Sequence, residues 1–159
     1  MPDLVTHTLI SHAVRRPFDL KTPKNAAAFR TLFYTGTVLP DILSRPFYII
    51  FPSTYLWVTS FHTMTAMLLI SVLISFLFRP EQRRRSFLNL TGGAGLHFLL
   101  DALQKQVTGN NFWLFPFSWR NFSAGAAWPE QIMLWIPVWL LIAAGVEYII
   151  RKKEKKTAP

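Results

Sequence analysis

His97 and Asp101 form the pair whose types and spacing most directly suggest chemistry. They lie four positions apart in residues 92–104, a mostly apolar stretch that we predict to be helical. Residues i and i+4 share one helix face, so the imidazole and the carboxylate should point the same way. Such a pair is costly to bury unless it is ion-paired, metal-bound or open to water. A structural hydrogen bond explains the pair equally well, so its role depends on the rest of the chain.

Three further ionisable groups stand in similar apolar or helix-breaking surroundings. His7 lies near the N-terminus, Asp41 follows a proline, and His62 lies inside an apolar segment. Imidazole nitrogens and carboxylate oxygens suit zinc, manganese or iron in a hydrolytic site. We therefore predict a divalent metal site, with zinc preferred, in which five residues converge: His7, Asp41, His62, His97 and Asp101. Their number allows one ion or two.

Simpler roles exist for two of these residues. Asp41 could merely cap the second half of a helix that Pro40 breaks. His62 could hydrogen-bond to a neighbouring helix, as polar residues in membrane bundles often do. His12 is predicted to lie outside the cluster, because it falls on a different helix face from His7. The chain has no cysteine, which excludes disulfides and thiolate metal ligands.

The elements that must position these residues are apolar, and hydrophobic residues make up 51% of the 159-residue chain. Residues 55–78 are long enough to cross a hydrocarbon layer of ~30 Å, and residues 131–150 and 88–103 are also strongly apolar. Residues 26–52 are apolar but interrupted by prolines. We predict an all-α polytopic membrane bundle of about four to five helices. It includes a short N-terminal helix capped by Asp3 and a proline-broken helix, in a single domain spanning residues 1–159.

The net charge of +9 is concentrated in three basic clusters beside the apolar segments: residues 15–30, 79–85 and 151–156. The positive-inside rule predicts that these clusters face the cytoplasm, so residues 151–159 form a basic cytoplasmic tail. The expected partner is the lipid bilayer of the inner (plasma) membrane, and a nucleic-acid partner is not expected. With residues 79–85 cytoplasmic, His62, His97 and Asp101 fall in the outer half of the membrane. No cleaved signal peptide is expected, because the N-terminus lacks a basic stretch followed by an apolar core.

Residues 108–130 form the longest polar connection and are rich in aromatic side chains. Such residues are typical of an interfacial belt that anchors a loop at headgroup depth. Alternatively, Ser118 and Arg120 face a cavity and bind the anionic group of a substrate. A guanidinium suits that role because it can bind phosphate through two parallel hydrogen bonds.

Five motifs, in this order, are similar to those of the bacterial inner-membrane metal-dependent hydrolases, a group with a LexA-binding branch. They are Met1-Pro2-Asp3-Leu4-Val5-Thr6-His7, Gly36-Thr37-Val38-Leu39-Pro40-Asp41, Phe61-His62-Thr63-Met64, His97-Phe98-Leu99-Leu100-Asp101 and Leu114-Phe115-Pro116-Phe117-Ser118-Trp119. The family usually carries Pro-Asp-Ile-Asp and His-Arg-x-x-Thr-His-Ser signatures. Here Leu43 replaces the second aspartate, and the position of the earlier histidine falls near Trp57. Two ligands that the resemblance implies are therefore missing.

These observations favour a membrane-bound metal-dependent hydrolase acting on a phosphoester or other lipid-linked substrate, with Asp41 or Asp101 as ligand or base. The alternative is a non-catalytic membrane scaffold or regulatory protein with a structural His/Asp cluster. In a third hypothesis the protein is a transporter, and the same groups form a path for protons or metal ions. The sequence leaves the substrate and the oligomeric state open.

Overall fold

The computed structural model describes residues 4–20, 25–105, 112–120 and 123–157, and these residues form helices without a named strand. The α-helices are α1 (Leu4–Arg15), α2 (Ala26–Ile50), α3 (Tyr55–Thr59), α4 (Met64–Phe76), α5 (Pro80–Leu103), α6 (Pro129–Met133) and α7 (Ile136–Thr157). Two 3₁₀ helices, Arg16–Leu20 and Pro52–Thr54, precede α2 and α3. The all-helical prediction is confirmed for this part of the chain, whereas the predicted cap Asp3 lies outside it.

Helices α2 and α5 form the centre of the fold because glycines allow their backbones to touch. A Cβ atom added at Gly93 would lie 2.0 Å from the carbonyl oxygen of Phe33, and one at Gly36 would lie 2.1 Å from that of Leu90. Only glycine permits such an approach, and small residues at helix contacts are typical of membrane bundles. The close packing brings the inward faces of α2 and α5 together.

The inward faces of the central helices carry polar residues at helical spacing. On α5 the buried positions are Ser86, Leu90, Gly93, Ala94, His97, Phe98 and Asp101. On α2 they are Phe29, Gly36, Thr37, Pro40, Asp41 and Ser44. Helix α1 contributes a third polar stripe, and its Ser11 hydroxyl hydrogen-bonds to the Thr37 hydroxyl at 3.0 Å. These three stripes build the candidate site.

Helix α2 differs from the predicted proline-broken helix, because it continues through Pro40 and Pro46 as one element of 25 residues. Each proline removes a backbone donor, so the carbonyls of Gly36 and Ile42 lose the amide to which a helix would normally bond them, while two nearby hydroxyls bond to other carbonyls of α2. The Ser44 hydroxyl donates to the Pro40 carbonyl at 2.7 Å, and the Thr37 hydroxyl donates to the Phe33 carbonyl at 3.0 Å. Prolines are tolerated inside a helix of a membrane bundle where neighbouring helices pack against it, as α5 packs against α2. Asp41 therefore lies inside a helix and does not cap a second half-helix.

The predicted continuous span of residues 55–78 is wrong, because the chain breaks between α3 and α4. Thr63 ends the break with an extended backbone, and its hydroxyl accepts a hydrogen bond from the Ala66 amide at 3.2 Å, capping α4. A Ser/Thr N-cap competes with continued helix in this manner. The break places His62 between two helices rather than two turns inside one.

Polar and apolar side chains are distributed opposite to the pattern of a water-soluble core. Sixteen polar or charged residues are buried among the described residues, against nine hydrophobic ones. Large apolar side chains cover the outside, for example Leu69, Leu73 and Leu141, which are 63%, 67% and 72% exposed. Exposed apolar surface of this extent marks a membrane or protein contact.

No single helix among the described residues is both long and apolar enough to cross a bilayer by itself. The segment Pro52–Thr59 reaches that length and composition together with α4, but the pair bends by 73° at the break. The apolar stretch predicted at residues 131–150 is divided between α6 and α7, and α7 continues through the basic residues to Thr157. The basic tail is therefore helical at least to residue 157.

The described residues of the three basic clusters lie at one end of the bundle. Arg85 stacks over the Phe29 ring, with its guanidinium carbon 6.0 Å from the ring centroid, and Arg16 contacts Glu154 at 2.8 Å. These contacts join the first cluster to the second and to the third. His7 precedes Arg15 by eight residues in α1, about 12 Å along the axis, and contacts the far end of α5. The candidate site therefore lies away from the basic end.

Candidate metal centre

Asp101 is the central group of the site, and α5 places it on the same face as His97, as the spacing predicts. His97 is fully buried and Asp101 is 5% exposed, and His97 Nε2 lies 3.4 Å from Asp101 Oδ2. The two carboxylate oxygens face different partners. Oδ2 faces His97 and His62, whereas Oδ1 lies 3.5 Å from His7 Nε2. Asp101 therefore links three histidines from three different segments.

His62, His97 and Asp101 place three ligand atoms at the corners of a nearly equilateral triangle. His62 Nε2 lies 3.0 Å from Asp101 Oδ2 and 3.2 Å from His97 Nε2, and the third side is the 3.4 Å separation within α5. Ligands bound at about 2.0 Å around a tetrahedral zinc ion are separated by about 3.3 Å. The three atoms are thus spaced as ligands of one ion would be.

Asp41 approaches the same triangle from α2. Its Oδ1 atom lies 3.8 Å from His97 Nε2 and 3.8 Å from His62 Nδ1, and its side chain is 1% exposed. His7 approaches from α1, with its ring centroid 4.7 Å from that of His97. The structure thus brings together all five residues that were singled out from the sequence as metal ligands.

Two overlapping groups of three residues have ligand atoms within 4.8 Å of one another. One contains His7, His97 and Asp101, and the other contains Asp41, His62 and His97. The buried atom Asp101 Oδ1 has no hydrogen bond from the described residues. Its neighbour His7 Nε2, 3.5 Å away, is beyond ordinary hydrogen-bond distance, and a cation between the two atoms would be bound by both. The donor set and its spacing therefore fit a divalent metal ion.

Arg45 and Ser44 belong to the site but were not identified from the sequence. Arg45 Nε lies 2.8 Å from Asp41 Oδ1, one helical turn away on α2. The Ser44 hydroxyl lies 3.4 Å from His62 Nδ1. The i,i+4 spacing of Asp41 and Arg45 was the available signal. Arg45 fixes the orientation of the Asp41 carboxylate toward the histidines.

The two positions at which the resemblance implies further ligands carry apolar side chains in this chain. Leu43 packs against the apolar cluster of Met67, Ala94 and Phe98. Trp57 is 81% exposed on α3. An aspartate at position 43 would face apolar side chains, so its replacement by leucine agrees with the local packing. The five ligand candidates are therefore the set that this chain retains.

His12 lies outside the cluster, as its helix face predicts. Its Nδ1 atom lies 2.8 Å from the Tyr34 hydroxyl, and its Nε2 atom lies 3.4 Å from Glu147. These contacts belong to the basic end of the bundle. His12 is therefore a suitable control for substitutions of the clustered histidines.

Two cavities adjoin the site. The smaller one, about 180 Å³, is bounded by His62 and by aromatic residues of the 112–120 segment. The larger one, about 800 Å³, has mostly apolar walls and includes Ser118 and Arg120. Phe98 lines the larger cavity and connects it to the cluster, since its ring contacts both the His97 ring and the Trp113 ring, with centroids 5.5 and 5.4 Å away. The first part of the predicted aromatic loop, residues 108–111, and residues 121–122 lie outside the described residues.

The fold and the site together define an all-helical protein with an apolar surface and a buried His/Asp cluster. The family comparison extends this description, because residues 1–158 match the YdjM inner membrane protein family. The chain belongs to that family, and the prediction of an inner-membrane protein is confirmed. The match carries no information on hydrolysis, LexA binding or substrate. No curated protein and no solved structure matches the chain significantly.

Proposed function

We propose that this chain is a membrane-bound metal-dependent hydrolase that acts on a phosphoester or another lipid-linked group. The observation that carries the proposal is the triangle of His62 Nε2, His97 Nε2 and Asp101 Oδ2, with sides of 3.0, 3.2 and 3.4 Å. Three protein ligands with an open position for water are typical of catalytic zinc sites. Zinc is preferred over manganese or iron because the donors are mainly imidazoles.

A bound metal ion would lower the pKa of a water molecule and polarise a phosphoryl or acyl oxygen. The protein residues have separate roles in this scheme. Asp101 Oδ2 would bind the ion together with His62 Nε2 and His97 Nε2, so Asp101 acts as a ligand, and its Oδ1 atom faces His7. Asp41, whose Oδ1 atom is held by Arg45 at 2.8 Å, is the candidate base that accepts a proton from the attacking water. The small cavity beside His62 gives water access to this centre.

The larger cavity supports a lipid-like substrate. Its walls include Met64, Leu99 and Leu114, and Arg120 supplies a cation at the same cavity. Pockets of several hundred Å³ with apolar walls and a few polar groups are typical ligand sites. We propose that an acyl chain lies along the apolar walls, while Ser118 and Arg120 bind the anionic head.

The positions of the basic clusters support the orientation that we propose for the protein in the membrane. All three lie at one end of the bundle, which supports a multi-pass topology with that end and the C-terminus in the cytoplasm. The His/Asp cluster lies away from this end, so the proposed reaction takes place in the outer half of the membrane. If a Gln82→Cys variant reacted with a thiol reagent added from the periplasmic side, this topology would be contradicted.

Turnover assays test the proposed activity. The purified, zinc-loaded protein should hydrolyse a lipid phosphate in mixed micelles, and Asp41→Asn should lower kcat by about 10²-fold or more. His12→Asn is the matched control, because it changes a histidine outside the cluster and should retain turnover. Equal activity of wild type and Asp41→Asn would refute the role of Asp41. Absence of turnover with phosphoester and acyl-ester substrates would refute the hydrolase proposal.

A non-catalytic scaffold is the second candidate function. The cluster is internally hydrogen-bonded, with His62 Nε2 only 3.0 Å from Asp101 Oδ2, and two ligands implied by the resemblance are replaced by Leu43 and Trp57. A structural cluster would explain both facts. In that case the basic end would contact a cytoplasmic partner, for which the LexA-binding branch of the similar family offers a precedent. Metal binding without turnover, together with loss of folding in Asp101→Asn, would favour this function.

A further inference from the structure

A third cavity, of about 910 Å³, lies at the basic end of the bundle, away from the His/Asp cluster. It is formed by the 3₁₀ helix Arg16–Leu20, the start of α2 and the last turns of α7. Four of its residues are cationic: Arg16, Arg30, Lys153 and Lys156. Two are acidic, Asp19 and Glu154, so the lining carries a surplus of positive charge.

The two acidic residues are already engaged by arginines. Asp19 contacts Arg15 at 2.9 Å and Arg16 at 3.3 Å, and it also contacts Arg30. Glu154 accepts hydrogen bonds from two nitrogens of Arg16, at 2.8 and 3.0 Å. The carboxylates therefore hold the arginines in place, as does Glu147, whose Oε2 atom lies 2.7 Å from Arg16 Nε, and the lining as a whole carries more positive than negative charge.

The remaining walls of the cavity are apolar. They consist of Leu20 and of two alanines, Ala26 and Ala27, at the start of α2. A ligand with both a phosphate and a hydrocarbon part matches this combination better than a small inorganic anion does. Lysines bind phosphate as point charges, and the adjacent Arg30 can add a directional hydrogen bond.

We propose that this cavity, which we call the basic cavity, binds the phosphate headgroup of an anionic phospholipid. The chain belongs to an inner-membrane family, and basic residues beside membrane helices attract anionic headgroups. The cavity is built by the N-terminal third of the chain and by α7, so an occupant would hold these two parts together. The site is independent of the His/Asp cluster and of its proposed metal.

Binding of short-chain lipids to the full-length protein in detergent tests the proposal. The probes are dihexanoyl phosphatidylglycerol, dihexanoyl phosphatidylcholine and inorganic phosphate, each titrated by calorimetry. Lys153→Gln/Lys156→Gln removes two charges from the basic cavity. Lys152→Gln/Lys155→Gln removes two charges from the same helix at positions that do not line the cavity. All four lysines are exposed, so both double variants should fold, which gel filtration checks.

Phosphatidylglycerol should bind to the wild type, and the Lys153/Lys156 variant should bind it about 30-fold more weakly. The control pair should change the affinity by less than about threefold. Equal losses of phosphatidylglycerol affinity in the two double variants would overturn the proposal, because the lipid would then respond to the overall charge of α7 and not to the basic cavity. Equal binding of phosphatidylcholine, or of inorganic phosphate at the same affinity, would also overturn it. The latter result would indicate a free-anion site.

Discussion

The contact between α2 and α5 predicts a large effect from a single methyl group. In Gly93→Ala, the added Cβ would lie 2.0 Å from the Phe33 carbonyl oxygen and 2.8 Å from the Thr37 amide nitrogen. Both neighbours are backbone atoms, so no side chain can rotate away. The helices would have to separate by about 1.4 Å before the first contact reached the 3.4 Å of ordinary packing.

The cost of that separation sets the expected change in stability. Overpacking a well-packed interface costs about 1–3 kcal/mol, and a backbone clash places Gly93→Ala near the upper limit. Replacing a helical glycine by alanine recovers about 1 kcal/mol. The net destabilisation is therefore about 2 kcal/mol, which corresponds to a fall in Tm of roughly 4–8 °C for a chain of this size. Because Gly93 precedes His97 by about one turn, the separation should also weaken metal binding.

Thermal unfolding in detergent, followed by circular dichroism, measures this effect. Gly145→Ala is the matched control, because Gly145 lies in helix α7 and an added Cβ there has nothing within 4 Å. The control should keep or raise Tm. If Gly93→Ala had a Tm equal to that of the wild type, the close approach of α2 and α5 would be refuted.

Three further predictions concern individual charges. Arg45→Gln should release the Asp41 carboxylate from its 2.8 Å contact, and kcat should fall while the amount of bound zinc changes little. Metal analysis and turnover assays on the same preparation would measure both. Arg120→Lys should raise KM for a lipid phosphate several-fold without changing metal content, because lysine cannot form two parallel hydrogen bonds to phosphate; an unchanged KM would exclude Arg120 from substrate binding. Hydrogen bonding to Arg16 lowers the pKa of Glu154, so the stability that this carboxylate contributes should be complete above about pH 4.5 and decline as the pH falls further. The stability of Glu154→Gln, measured by acid unfolding, should therefore fall less steeply below about pH 4.5 than that of the wild type. An identical pH dependence in the two proteins would contradict a stabilising contact between Glu154 and Arg16.

The helical class and the identity of the clustered residues could be predicted from the sequence. Helical periodicity alone predicts that His97 and Asp101 lie on one helix face. The other candidates are recognisable because ionisable residues are rare in apolar segments. Their mutual distances could not be predicted, because they depend on how α1, α2 and α5 pack. That packing depends on two glycine contacts that leave no periodic signal.

The breaks in the helices were predicted at the wrong places for a physical reason. Prolines at positions 40 and 46 predict a break, but α2 continues through both of them and packs closely against α5. Residues 60–63 contain no proline or glycine, yet Thr63 caps α4 and the chain turns there. The start of α4 thus depends on a local hydrogen bond to a hydroxyl side chain, and the continuity of α2 depends on packing; composition reveals neither.

Metal content of the purified protein tests the central claim most directly. The wild type, loaded with zinc and desalted, should retain at least about one ion per chain by mass spectrometry. His97→Gln, which removes the residue shared by both ligand groups but keeps a buried polar side chain, should lose that ion. His12→Gln should retain it, since His12 contacts Tyr34 and Glu147 instead. If a folded His97→Gln protein bound as much zinc as the wild type, the His/Asp cluster would not be the metal site.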